Sequence, residues 1–353
     1  MKWQLSDEQD AYRDSLGDWI GDVASAEAVR SWLESGEAAP FEERLVRDGW
    51  LGVGTPEELG GQGGGLVELA LTAELLGGAA APSAGWLASV LAVPALEGRP
   101  ELVEEVFAGS TIAFAHPADR IPGAAPLSLD GEGRLSGSVS RVLAGATAKK
   151  FVVLAESAEG RQLRLVDSDG VTVHARGLLD RSRAVADLTF DEVPTQSLDA
   201  DADAFIEACT ARAAVLVAAD SLGAMAKMLE LAVAYSKQRH QFGVPIGSFQ
   251  AVKHAAAAIL VDVEAARSAV YYAAASVDTG SGISRLQAAA VKAQVTAAAV
   301  RAADSSLTLH GAIGYTWEHD LHFFYKRAKL NEQLMGSPTS WNSRIADGLA
   351  LSL

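Results

Sequence analysis

Three features of this 353-residue sequence predict an α+β fold with helices at both ends and a β segment between them. Residues 1 to about 110 carry apolar side chains at helical spacing, punctuated by glycine. From 111 to 198 the pattern changes to short β-branched runs separated by Gly, Asp and Pro, the layout of a small antiparallel barrel or sandwich. Beyond 199 come four long helical patterns. The expected organisation is an N-terminal α-helical domain (1–110), a middle antiparallel β domain (111–198) and a C-terminal four-helix bundle (199–353). The length suits two or three domains with real cores.

In the first segment, helical patterns cover 3–23, 41–48, 66–76, 84–91 and 100–107, and Ser6 with Gln9 has capping-box spacing. The run G-G-Q-G-G-G at 60–65 has neither a preceding strand nor a following Lys-Ser/Thr pair, so it reads as a flexible interhelical loop and not as a phosphate loop. In the middle segment the strand candidates are T-I-A-F-A, R-L-S-G-S-V, K-F-V-V-L-A, Q-L-R-L-V-D, V-T-V-H-A and A-V-A-D-L-T-F-D. In the third, helical patterns cover 205–241, 248–278, 284–309 and 340–353, with Ser284 and Gln287 spaced as a second capping box. The two central patterns are Ala-rich and apolar around much of their circumference, as in helices buried on several sides.

A net charge of -16 argues against nucleic-acid and anionic-membrane partners, which need clustered Lys and Arg. The single cysteine, Cys209, forms no intrachain disulfide, reads as a small buried residue and suits a reducing cytoplasm. The N-terminal residues lack the charged-then-apolar layout of a secretion signal, and the apolar stretch 79–96 is broken by Pro82 and Pro94, so no spanning helix is expected.

The stretch Tyr235 to His254 concentrates the chemistry. A helix carrying Arg239 in its last turn should stop near Phe242, because Gly243 accepts a left-handed conformation and Pro245 cannot continue the ladder. The next helix should begin near Ser248. A guanidinium there can hold a phosphate bidentately, with Gln241, Phe242 and Gln250 adding two amides and an aromatic face. An αα-corner with a solvated arginine fits the same spacing. His319 and His322 form H-x-x-H beside Glu318 and Asp320, too little for a metal site.

R-H-Q-F-G-V-P-I-G-S-F-Q-A-V-K-H at 239–254, followed by H-G-A-I-G-Y-T-W-E-H-D-L-H at 310–322, resembles the paired signature of the acyl-CoA dehydrogenase family. The early G-W-L-G-V-G-T-P-E-E-L-G-G-Q-G-G-G at 49–65 and the order of parts resemble the family over nearly the whole chain. The resemblance implies FAD as cofactor and a CoA thioester as substrate. It also implies FAD-pyrophosphate contacts from Arg239, Gln241, Phe242, Gln250, His310, Gly311 and Gly314, although Thr308 replaces the family's usual Gln. The family's T-E-P-x-x-G-S-D-like and W-I-T-like segments face the flavin ring. Here Phe114–Pro122 and Ala146–Phe151 stand in their place, so the β domain is not expected to seat the ring.

The family chemistry needs a carboxylate base, and the residues matching its two known locations are Ala213 and Met335. Glu207, Asp220 and Glu230 share a helix with Ala213 in a different register and read as solvated or end-capping. The resemblance extends to heteromeric actinobacterial enzymes acting on CoA thioesters of steroid side chains, in which two related chains form α2β2 and one type carries the base. Three readings stay open: a base-less cytoplasmic subunit beside a homologous base-carrying partner, a homomeric oxidoreductase using Glu318 or Glu332, and a non-catalytic scaffold that lost flavin.

Overall fold

The computed structural model describes residues 4–123 and 127–349. Trp3 and Leu353, the outer limits of two expected helices, lie outside them. The helices are α1 (Asp7–Val23), α2 (Ala26–Ser35), α3 (Ala39–Arg47), α4 (Leu66–Gly78), α5 (Ala84–Ala92), α6 (Pro100–Phe107), α7 (Ala202–Gln238), α8 (Gln250–Asp278), α9 (Ser284–His310), α10 (Leu321–Gln333) and α11 (Pro338–Gly348). The strands are β1 (Ile112–Phe114), β2 (Leu127–Leu129), β3 (Arg134–Leu143), β4 (Lys150–Ser157), β5 (Gly160–Asp167), β6 (Thr172–Arg176), β7 (Val185–Pro194), β8 (Gln196–Ser197), β9 (His240–Gln241) and β10 (Val244–Pro245). Helices, then a β segment, then helices is the expected order. The sequence reading did not assign α2, α10 or the short strands β2, β8, β9 and β10. Charged and polar residues recur throughout α10, which buries Phe323, Phe324, Arg327 and Asn331.

Packing divides the chain into two compact units. One comprises Trp32–Gly65 and Pro82–Ala213. Its eight-stranded sheet runs β6-β7-β3-β2-β4-β5-β8, with β1 also paired to β4. Pairing is antiparallel except that β1 and β2 both lie parallel to β4, β1 at Lys150–Val152 and β2 at Glu156. The two short strands occupy successive stretches of one edge, so they enter in the same direction. Burial alternates at Ala186, Leu188 and Phe190 of β7, whereas in β3 two register shifts against β7 break the alternation, and Phe151 and Phe190 meet edge-on at 6.4 Å in the core. The 60–65 loop is more ordered than expected, because Gly54 N–H donates to Gly63 O at 2.8 Å and Gly63 N–H to Thr55 O at 2.9 Å.

The other unit comprises Met1–Ser31, Leu66–Ala81 and Ala214–Leu353. Ser6 and Gln9 form the expected capping box on α1. The second box does not form. Ile283 is the N-cap of α9, so Ser284 sits one residue too late, and Gln287 N–H bonds to Ile283 O instead. No described helix is long and apolar enough to cross a membrane.

Helices α4 and α7 touch backbone to backbone. A Cβ on Gly223 would lie 1.8 Å from Glu74 O, and one on Gly77 would lie 2.1 Å from Asp220 O. Beside this contact Arg327 of α10, fully buried, forms a bidentate pair with Asp220, Nε to Oδ1 at 2.9 Å and Nη2 to Oδ2 at 2.8 Å. Arg327 Nη1 also donates to Ala81 O at 2.9 Å, and Asn331 Nδ2 donates to Asp220 Oδ1 at 2.7 Å. Asp220 is therefore neither solvated nor a cap. Glu230 does face solvent, paired with Lys227 at 2.8 Å.

Gly223→Ala should destabilise the chain by about 3 kcal/mol or more, since the new methyl meets main chain that cannot rotate away. Guanidinium denaturation of the two proteins measures the difference.

Candidate functional site

The chain around Arg239 departs from a simple helix corner. Helix α7 stops at Gln238, and β9 and β10 form a two-residue hairpin with Gln241 opposite Val244 and His240 opposite Pro245. Phe242 and Gly243, at φ +54° and +81°, make its turn. Positive φ at both central residues is what a tight hairpin requires, so the helix ends about one turn earlier than expected. Ile246 N–H donates to Arg239 O at 2.8 Å and closes the loop.

This hairpin holds Phe242 out, 93% exposed, in a backbone conformation that disfavours its Cβ, with Phe249 edge-on at 6.1 Å. Arg239, Gln241 and Gln250 are exposed too, Gln250 as the first residue of α8. Among the described residues the Arg239 guanidinium has no ion-pair or hydrogen-bond partner, in a chain carrying a charge of -16.

The second signature adjoins the first through stacked rings. His310, the last residue of α9, is 2% exposed and stacks on Tyr235 of α7 at 4.9 Å, with His319 edge-on at 4.5 Å. Its Nδ1 lies 2.7 Å from Ser306 O, which can only accept, so Nδ1 carries a proton. Burial pushes both histidines below the usual range and keeps the stack neutral. His310 thus stands behind the site, fixing the ends of α7 and α9 against each other. Gly311 follows at φ +63°, ψ -142°, exposed, in a region only glycine occupies readily. Gly314 is buried where a Cβ would meet His310 Cβ and Leu307 Cδ1 at 3.0 Å. Thr308 turns back onto its helix, Oγ1 to Asp304 O at 2.9 Å.

The two expected base positions are apolar and buried, Ala213 at 0% and Met335 at 4% exposure. Met335 holds φ +56° in a turn fixed from two sides. Trp341 Nε1 donates to Met335 O at 3.0 Å. Lys292 Nζ donates to Asn331 O at 3.1 Å, Glu332 O at 3.4 Å and Gly336 O at 2.8 Å. The ammonium so caps the C-terminal end of α10. Glu318 is exposed, and half-buried Glu332 accepts from Gln333 Nε2 at 3.4 Å. His322 Nδ1 faces Lys326 Nζ at 3.1 Å. Sequence reasoning missed Tyr235, Lys292 and Trp341. A lysine within the apolar circumference of an Ala-rich helix was the available signal for Lys292.

In the other unit, the Phe114–Pro122 segment is closed by its own contacts. Ala115, His116 and Ala118 are buried, Phe114 stacks on His116 at 5.6 Å and meets Phe205 edge-on at 5.1 Å. His116 Nε2 donates to Arg120 O at 3.0 Å and Ala118 N–H to Arg141 O at 3.0 Å.

Family models match both helical regions, the acyl-CoA dehydrogenase N-terminal domain over 6–104 and the acyl-CoA dehydrogenase C-terminal domain over 204–349. Acyl-CoA dehydrogenase IpdE2 of Mycolicibacterium smegmatis is 32% identical over 347 residues, 97% of this chain and 98% of that protein. The chain belongs to the acyl-CoA dehydrogenase family. Two solved heteromeric relatives share its fold. One is the ChsE4–ChsE5 complex of Mycobacterium tuberculosis, at 26% identity and TM-score 0.89 over 100% of both chains. The other is a variant of the Tcur3481–Tcur3483 steroid ACAD, at 26% and 0.87 over 99% of both.

Acyl-CoA dehydrogenases are FAD-dependent oxidoreductases, and the two ends of the cofactor fit this chain unequally. An exposed guanidinium without a partner among the described residues, an exposed aromatic ring and an open glycine backbone suit a pyrophosphate and its adenosine. The Phe114–Pro122 segment offers buried alanines and His116, whose Nε2 is bonded to Arg120 O and whose Nδ1 is buried without a partner among the described residues.

Burial pushes the Lys292 ammonium from the ordinary 10.5 down to about 7. Between those values the folded chain binds fewer protons than the unfolded one, so this residue's contribution to stability rises with pH and is lost as pH falls towards 7. Lys292→Met leaves three carbonyls without their donor and should cost about 2–5 kcal/mol while flattening this pH dependence. Denaturation at about pH 7 and about pH 9 checks both effects.

Proposed function

We propose that this chain is the base-less subunit of a heterotetrameric α2β2 acyl-CoA dehydrogenase of the cytoplasm. It completes the pyrophosphate end of an FAD site while a homologous subunit provides the carboxylate. The observation that carries this reading is a contrast within one chain. Arg239 and Phe242 are presented to solvent by a strained hairpin, whereas both base positions hold buried apolar side chains, Ala213 and Met335. Support also comes from the two heteromeric relatives, each formed by two differently named chains.

α,β-Dehydrogenation removes a proton from the α-carbon and a hydride from the β-carbon, and bound FAD supplies the electron-pair acceptor. Arg239 would hold the pyrophosphate through paired N–H donors, Phe242 would offer a ring face, and Gln241 and Gln250 would add amide bonds. Gly311 would let the backbone approach the same anion, and Gly314 and His310 would keep that turn in place. The α-proton finds no acceptor at Ala213 or Met335, so its removal falls to the partner subunit. The substrate class is a bulky acyl-CoA such as a steroid side-chain thioester, in keeping with the steroid ACAD among the relatives.

Arg239→Ala should weaken FAD retention in the co-purified complex by about ten- to a hundredfold, the loss of a charge-assisted hydrogen bond. Flavin absorbance per protein measures it, and undiminished occupancy would remove the assignment. The isolated chain should turn over acyl-CoA about 10²- to 10⁴-fold more slowly than the complex, the usual deficit without a general base. An ordinary rate from the chain alone would instead point to Glu332, the half-buried carboxylate three residues before Met335, as base.

A further inference from the structure

In the sheet-bearing unit a cavity of about 390 Å³ opens between α3, α5 and the turn joining α6 to β1. That volume lies in the range of small-molecule sites. Its walls include Leu45, Leu51, Trp86 and Val106, with the exposed Glu43 and Arg47 also on the lining, and half-buried Glu42 borders it from the first turn of α3. Glu42 Oε1 accepts a hydrogen bond from Gly85 N–H at 3.0 Å, at the start of α5. The approach depends on Gly85, since a Cβ there would lie 2.6 Å from Glu42 Oε1 and 3.2 Å from Thr111 Oγ1.

Among the described residues Glu42 has no cationic partner. The nearby arginines are engaged elsewhere, Arg44 and Arg47 both with Asp48. Burial pushes the carboxyl above the usual carboxylate range, and one neutral backbone donor offsets little of that cost. Carboxylates shielded from water are ordinarily paired with a cation, and the cationic side chain that lines this cavity, Arg47, is exposed and turned to Asp48 at 3.0 Å.

We propose that this cavity is a binding site for a small organic cation, an ammonium carried on a compact apolar body, whose N–H groups pair with Glu42 while the body packs against Leu51, Trp86 and Val106. It is independent of the flavin and of Arg239.

Benzylammonium is a suitable probe, with benzyl alcohol as its neutral counterpart, titrated calorimetrically into the full-length chain. Saturable benzylammonium binding is expected, tighter than benzyl alcohol, and weakened about ten- to a hundredfold by Glu42→Gln, which keeps an acceptor for Gly85 N–H but removes the charge. No saturation by about 10 mM, equal affinity for the alcohol, or unchanged binding in the variant would each overturn the proposal. Should Glu42→Gln fail to fold, Ser89→Met, which fills the apolar part of the cavity, provides the second arm. It should abolish binding in a protein of unaltered circular dichroism, and binding that persists would likewise overturn the site.

Discussion

The buried pair between Arg327 and Asp220 is the interaction on which the helical unit depends. Ala-rich and Gly-bearing helices pack closely but lack large knobs to fix their sliding and rotation, and α4 and α7 meet almost main chain to main chain. A bidentate guanidinium–carboxylate bond tolerates little displacement, and this one also grips Ala81 O and shares its carboxylate with Asn331. Three segments are thereby held in one register: the end of α4, the middle of α7 and the face of α10. Taking both charges out of water is costly, so the gain lies in specifying a single packing more than in net stability.

With that register set, both ends of the story along these helices follow. At the C-terminal end of α7, Tyr235 stacks on His310 and leaves Arg239 and the hairpin projecting. At the C-terminal end of α10, Lys292 and Trp341 fold the next residues into a left-handed turn at Met335. The two places differ in what they present. One exposes an aromatic ring and a cation without a partner among the described residues; the other encloses a thioether.

The sheet-bearing unit tells a parallel story. In its Phe114–Pro122 segment His116 Nε2 bonds to Arg120 O while His116 Nδ1 is buried without a partner among the described residues, Ala115 and Ala118 N–H bond to Val152 O and Arg141 O, and Phe205 meets Phe114 edge-on. In the same unit Glu42 is left with a single neutral donor beside a cavity.

Much of this was legible in sequence because it rests on local physics. Helical periodicity located α3 to α9 apart from their ends, the Ser6–Gln9 spacing located a cap, and β-branched runs located every strand longer than three residues. The paired signatures around Arg239 and His310 named the family. Partnership between distant residues was not legible. Asp220 looked like any helix carboxylate until Arg327, 107 positions later, was brought to it. Ser284 failed as a cap because the preceding turn placed it one residue inside the helix, and Lys292 became a helix cap only through carbonyls about 40 residues away. Spacing along the chain fixes which groups share a face; only tertiary packing decides which are desolvated, and desolvation is what turns a charge into an anchor.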